Sequence, residues 1–148
     1  MEREQKIETL LAAHPYLVHA RFASAKTRTQ LVQGQDRLDL WLELSGKASI
    51  VEIKRGNLTI AAIEQLERYL KNWAQPLPLA ANHFLVGKPP QNELAFAAAL
   101  KASTYGIQPV LLGHDIPLEL AFDSRAGRYV AFDSNRIDLA AGVIRLLV

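Results

Sequence analysis

From Arg37 to Leu44 the chain alternates without a fault: Leu38, Leu40, Leu42 and Leu44 fall on one side, Arg37, Asp39, Trp41 and Glu43 on the other. A period of two is the mark of a β-strand with one buried face. Ser45-Gly46 supplies turn chemistry, and Ala48-Ser49-Ile50-Val51-Glu52-Ile53-Lys54 follows as a second strand ending at Arg55-Gly56-Asn57. The two predict a β-hairpin whose register is arithmetic. A turn centred between Ser45 and Gly46 sets Leu44 opposite Lys47, Glu43 opposite Ala48 and Asp39 opposite Glu52.

Elements on either side of the hairpin follow from the same reasoning. Glu2 to Ala13 repeats Ile7, Leu10 and Leu11 at helical spacing and stops at His14-Pro15. Tyr16 to Gln35 is mixed, with alternation around Val18 to Ala23 and Thr29 to Val32 that suits a short strand or an extended arm. Thr59 caps a helix whose stripe is Ile60, Ile63, Leu66, Leu70 and Trp73, with Glu64, Glu67, Arg68 and Lys71 on the other face. After a proline loop, His83 to Gly87 reads as a buried strand, Gln91 to Tyr105 as an Ala-rich helix closed by Gly106, and Ile107 to Leu112 as another buried strand.

This order predicts an α/β fold: a central mixed sheet flanked by helices, with the later strands joined by crossovers. Leu118 to Asp123 and Arg128 to Asp133 flank Ser124-Arg125-Ala126-Gly127 and predict a C-terminal β-hairpin. Ile137 to Val148 is apolar at helical spacing and nearly so all round, which predicts burial by this chain or by another subunit.

Composition narrows the function classes. The 148 residues are 49% hydrophobic and 22% charged, which fits one domain over 1–148. Without cysteine there are no thiolate metal sites, cysteine nucleophiles or disulfides. No apolar run reaches the ~20 residues that span a bilayer, and the charged start Met1-Glu2-Arg3-Glu4-Gln5-Lys6 is unlike a signal peptide, so a cytoplasmic protein is expected. Seventeen basic against fifteen acidic side chains leave a net charge of +2, so any nucleic-acid surface is local. Walker, G-x-S-x-G and G-x-G-x-x-G motifs are absent from the sequence, which argues against NTPase, hydrolase-elbow and dinucleotide readings.

The chemistry sits in the hairpin. Facing carboxylates at Asp39 and Glu52 repel one another unless a divalent cation reverses the sign. Lys54, two residues on, shares their face with Arg37 opposite. Oxygen ligands from Asp39, Glu52 and a backbone carbonyl such as that of Ile53 suit Mg²⁺ or Mn²⁺, and Lys54 is placed to orient or deprotonate a water and to offset phosphoryl charge. The reaction this implies is metal-assisted phosphodiester hydrolysis.

These residues resemble the PD-(D/E)XK nuclease superfamily, whose core is an acid on one strand and E-x-K on the next. Arg37-Leu38-Asp39-Leu40, Val51-Glu52-Ile53-Lys54-Arg55-Gly56, Gln65 and Arg68-Tyr69 look most like the nuclease domain of mismatch-specific and RecB-like DNA endonucleases. The likeness extends from Glu2 to Leu112 in order of elements. Leu38 stands where the motif has Pro, and the C-terminal hairpin and tail match nothing in the pattern. The resemblance implies a restriction-endonuclease-like fold, DNA cleavage leaving 5′-phosphate and 3′-hydroxyl ends, and a first-helix acid, here Glu8, at a second metal position.

Competing readings attach to several of these residues. Gln65 lies at the edge of the apolar stripe, where it either caps a backbone group or orients the metal site or water. Glu8 is either a solvated helix residue or a ligand. Tyr69 and Trp41 read as packing, Asp36 ranks below Asp39 by parity, and His14, His19, His83 and His114 lack metal-ligand spacing. Lys26, Arg28, Arg55, Lys88, Arg125 and Arg128 are candidate phosphate contacts. Two further function classes compete with the enzyme: a non-catalytic nucleic-acid-binding or assembly subunit of the same fold, and an interaction module using the apolar tail. A homodimer would let two sites address two strands.

Overall fold

The computed structural model describes residues 2–33, 36–112, 122–123, 128–129, 132–139 and 142–147. Helix α1 (Glu2–Ala13) leads through 3-10 turns at Pro15–Leu17 and Ala20–Phe22 into strands β1 (Lys26–Gln33), β2 (Asp36–Leu44) and β3 (Lys47–Asn57). Helix α2 (Ile60–Lys71), β4 (Asn82–Lys88), α3 (Glu93–Ala102) and β5 (Gly106–Leu112) follow. The chain then forms β6 (Phe122–Asp123), β7 (Arg128–Tyr129), β8 (Phe132–Leu139) and β9 (Gly142–Leu147). The architecture is α/β, and the main sheet is open and mixed, in the order β1-β2-β3-β4-β5-β9-β8.

The hairpin register is the one that the turn arithmetic requires. Leu44 pairs Lys47, Glu43 pairs Ala48 and Leu40 pairs Val51. Ser45 and Gly46 both have positive φ, 53° and 72°. A two-residue turn of this hand matches the twist of the strands it joins. Thr59 caps α2 through its side chain, which accepts from Ala62 N at 3.2 Å, and α2 and α3 then carry β3, β4 and β5 into parallel alignment.

The sheet is covered on both faces. On one, Ile7 and Leu11 of α1 pack with Leu40, Leu42, Val51, Ile53, Phe84 and Val86. On the other, Ile63, Leu66 and Leu70 of α2 and Phe96 of α3 pack with Trp41, Ile50, Leu85, Ile107 and Leu111. The β2 strand is therefore buried on both sides rather than half-buried, because the face that carries Trp41 lies under α2.

Further sequence expectations are corrected, beginning with the alternation around Val18 to Ala23, where Ala20–Phe22 forms a 3-10 turn. The fault-free alternation of β2 breaks at Asp39: Leu40 and Leu42 face α1, while Leu38 joins Trp41 in the other core. The run from Ile137, read at helical spacing, forms the antiparallel pair β8 and β9, with β9 also parallel to β5. An all-round apolar run fits a fully buried strand as well as a helix, and pairing closes what would otherwise be the open edge of β5. The helix expected over 91–105 is shorter, Glu93–Ala102, capped by Asn92 through a 3.0 Å bond from Ala95 N. Of the expected C-terminal hairpin, β6 and β7 pair, with Phe122 opposite Tyr129; residues 118–121, 124–127 and 130–131 lie outside the described residues, and Phe132 and Asp133 belong to β8 instead of the second arm.

Candidate active site at a strand fork

The site begins where β2 leaves β3. Their antiparallel pairing runs from Leu44↔Lys47 to Leu40↔Val51. Continued, the ladder would bring the N–H of Ile53 to the carbonyl of Leu38. Instead Ile53 N donates to Asp39 Oδ2 at 2.9 Å. A side-chain carboxylate thus replaces a ladder acceptor, the strands part, and Leu38 turns to the opposite core. In a strand a residue's N–H and C=O point to the same neighbour, so the carbonyl of Ile53 also faces the gap beside Asp39.

Glu52 is next in line opposite Asp39 and is only 4% exposed. It shares a face with Ile50, which packs under α2. Lys54 lies two residues further along and confirms the direction, because its ammonium donates to Gln65 Oε1 on α2. Gln65 Nε2 donates in turn to the Tyr69 hydroxyl at 2.9 Å. Gln65 thus bridges the Lys54 ammonium and the Tyr69 hydroxyl, a role different from both the backbone cap and the metal- or water-orienting role expected of it. Tyr69 is core, as expected, and its hydroxyl fixes the Gln65 amide. Just beyond the end of α2, Trp73 meets Trp41 edge to face with centroids 5.0 Å apart.

A second side chain substitutes for a ladder partner on the other flank of β3. His83, 2% exposed, accepts from Ile50 N through Nδ1 at 3.0 Å. Burial lowers its pKa from 6.5 to about 4, and a hydrogen bond with the Ala80 backbone partly opposes the shift. The ring is therefore neutral near pH 7. Glu52 thus lies on a segment pinned at Ile50 by an imidazole and at Ile53 by a carboxylate. His83 as a structural residue agrees with the absence of ligand spacing, but no sequence signal marked its hold on β3 beyond a histidine at the start of an apolar run.

No protein-family model, curated protein or solved structure matches this chain.

The remaining candidates are scattered. Glu8 is buried on α1, the helix that covers the face opposite α2. Among the described residues no group of three or more His, Asp or Glu gathers as a metal cluster, so the oxygen donors at the fork are Asp39, Glu52 and the Ile53 carbonyl. Lys26 and Arg28 are exposed on β1, Arg55 is exposed on β3, and Lys88 ends β4 half-buried. Arg128 begins β7, while Arg125 and His114 lie outside the described residues. Arg37 is exposed and pairs with Val32 of β1. Sequence reasoning missed the stack of Arg28 on Trp41, with the guanidinium carbon 5.5 Å from the ring centroid. Trp41 is a packing residue, as its spacing implied. No described helix is long and apolar enough to cross a membrane.

Proposed function

We propose that this chain is a metal-dependent endonuclease that hydrolyses DNA phosphodiesters, with a restriction-endonuclease-like fold. The observation that carries the reading is the fork: Asp39 spans to the Ile53 amide, in line with buried Glu52, while Lys54 is held by Gln65. Two carboxylates and a carbonyl, without imidazole or thiolate, fit a hard ion such as Mg²⁺ or Mn²⁺ that keeps several of its waters. Asp39, Glu52 and the Ile53 carbonyl would hold it, and bound there it would supply a water of lowered pKa and charge for the phosphate oxygens.

The chain's own groups do the rest. Asp39, anchored on the Ile53 amide, keeps the fork open. Gln65 and Tyr69 restrict the Lys54 ammonium to one direction, from which it hydrogen-bonds the attacking water or a non-bridging phosphate oxygen. A fixed cation at developing negative charge is worth about 10²- to 10³-fold in rate.

The test is incubation of the protein with labelled single-stranded, duplex and branched DNA in Mg²⁺ or Mn²⁺. Cleavage is expected, with loss of at least about a hundredfold in Lys54→Ala and Glu52→Gln. Cleavage that persists in both variants refutes these roles. The second reading, a non-catalytic nucleic-acid-binding subunit, is favoured by the absence of a third gathered acid among the described residues. It predicts salt-sensitive DNA binding, no cleavage, and no rise in Tm with Mg²⁺.

A further inference from the structure

The β1 strand stands first in the sheet order, and among the described residues it pairs with β2 alone. Its register with β2 keeps the same count on both sides of Asp39: Lys26 faces Glu43, Arg28 faces Trp41, and position 30 falls level with Asp39 between the pairs Thr29↔Leu40 and Leu31↔Leu38. Arg28 lies over the Trp41 ring, on the sheet face that α2 covers further in. The period of two puts Lys26 on that face as well. One rim of the fork is thus an edge strand with exposed cations at two successive same-face positions, two and four residues before the position level with Asp39.

Same-face neighbours on an antiparallel strand are about 6.8 Å apart, close to the spacing of successive phosphates in an extended polynucleotide. We infer that β1 is a phosphate ruler: a single DNA strand lies along it, with the phosphate to be cut level with Asp39, the next at Arg28 and the one after at Lys26. This rests on the nuclease reading for what happens at Asp39. A guanidinium stacked on an indole has its orientation set before binding and keeps its N–H edge for a phosphate. Lys26 contributes less, because Glu43 stands opposite it. An edge strand also offers unpaired backbone N–H groups to the same ligand. Base identity is not read by such a contact, so sequence tolerance follows.

The experiment measures binding of a short dye-labelled single-stranded oligodeoxynucleotide against salt, in EDTA so that nothing is cut. Arg28→Ala should weaken binding and flatten the slope of log K on log salt by about 0.7, the share of one single-strand phosphate. Lys26→Ala should flatten it less, and Lys101→Ala, exposed on α3, not at all. Adding Thr29→Arg to Arg28→Ala restores the net charge on the other face of β1 and should not restore the slope, whereas Arg28→Lys should restore part of it. An unchanged slope in Arg28→Ala, full rescue by Thr29→Arg, or tighter binding of duplex than of single strand overturns the ruler. Binding as expected with no cleavage in Mn²⁺ would sink the nuclease reading and leave the ruler standing, and cleavage with an unchanged slope would do the reverse.

Discussion

Acid should loosen this fold through one histidine. His83 is buried, accepts the Ile50 N–H at Nδ1, and takes up a proton only near pH 4. In the unfolded chain it does so near 6.5. Between these values the unfolded state binds more protons, so its share grows as pH falls. The histidine's contribution is present in full above about 6.5 and is lost as pH drops toward about 4. At about 1.4 kcal/mol per pH unit, the interval amounts to about 3 kcal/mol, of which about 2 kcal/mol is gone by about pH 5. Asn at position 83 carries an acceptor where Nδ1 stands and does not titrate. His83→Asn should lower stability at neutral pH by about 1–3 kcal/mol for the lost ring, yet lose about 2 kcal/mol less than the parent between about pH 7 and about pH 5. Urea denaturation at both pH values reads the difference. Parallel losses in the two proteins would refute the assignment of the acid sensitivity to this ring.

The fork can be probed apart from catalysis. Asp39→Ala removes the acceptor of the Ile53 amide and should cost about 1–3 kcal/mol of stability by thermal or urea unfolding, whereas Asp39→Asn keeps an acceptor oxygen and should cost less while still abolishing cleavage; equal costs would mean that the amide bond is not what Asp39 supplies. Gly106 opens β5 opposite Asn82, and a Cβ there would collide with the Ala81 carbonyl oxygen and meet Asn82 Oδ1 at 2.8 Å. Gly106→Ala should therefore destabilise by about 1–3 kcal/mol, and an unchanged urea midpoint would show that the β4–β5 entry yields more easily than its backbone contacts suggest.

Local order made much of this molecule legible in its sequence. Alternation and a two-residue turn determine the β2–β3 register, since any other register would exchange the faces of every side chain. The cap at Thr59 and the apolar stripe of α2 determine where that helix starts and which side it buries. Given these, Glu52, Lys54 and Gln65 must share the α2 face. What the strand pattern hid was its own interruption: Asp39 reads as one more polar position, and only the tertiary arrangement, in which its carboxylate takes the Ile53 amide, makes it a fork and turns Leu38 over. The tail was opaque for a related reason. An apolar run carries no periodic contrast, so whether it forms helix or strand depended on the vacant side of β5 beside it.

The sequence by itself thus determined α1, the β2–β3 hairpin, α2, β4 and β5, and the row of polar residues they carry, because spacing along a chain settles which side chains share a face. The tertiary structure alone decided that the strands part at Asp39, that His83 holds Ile50, and that Arg28 lies on Trp41. Each of these is a contact between a side chain and a group on another strand, and no local spacing encodes such a contact.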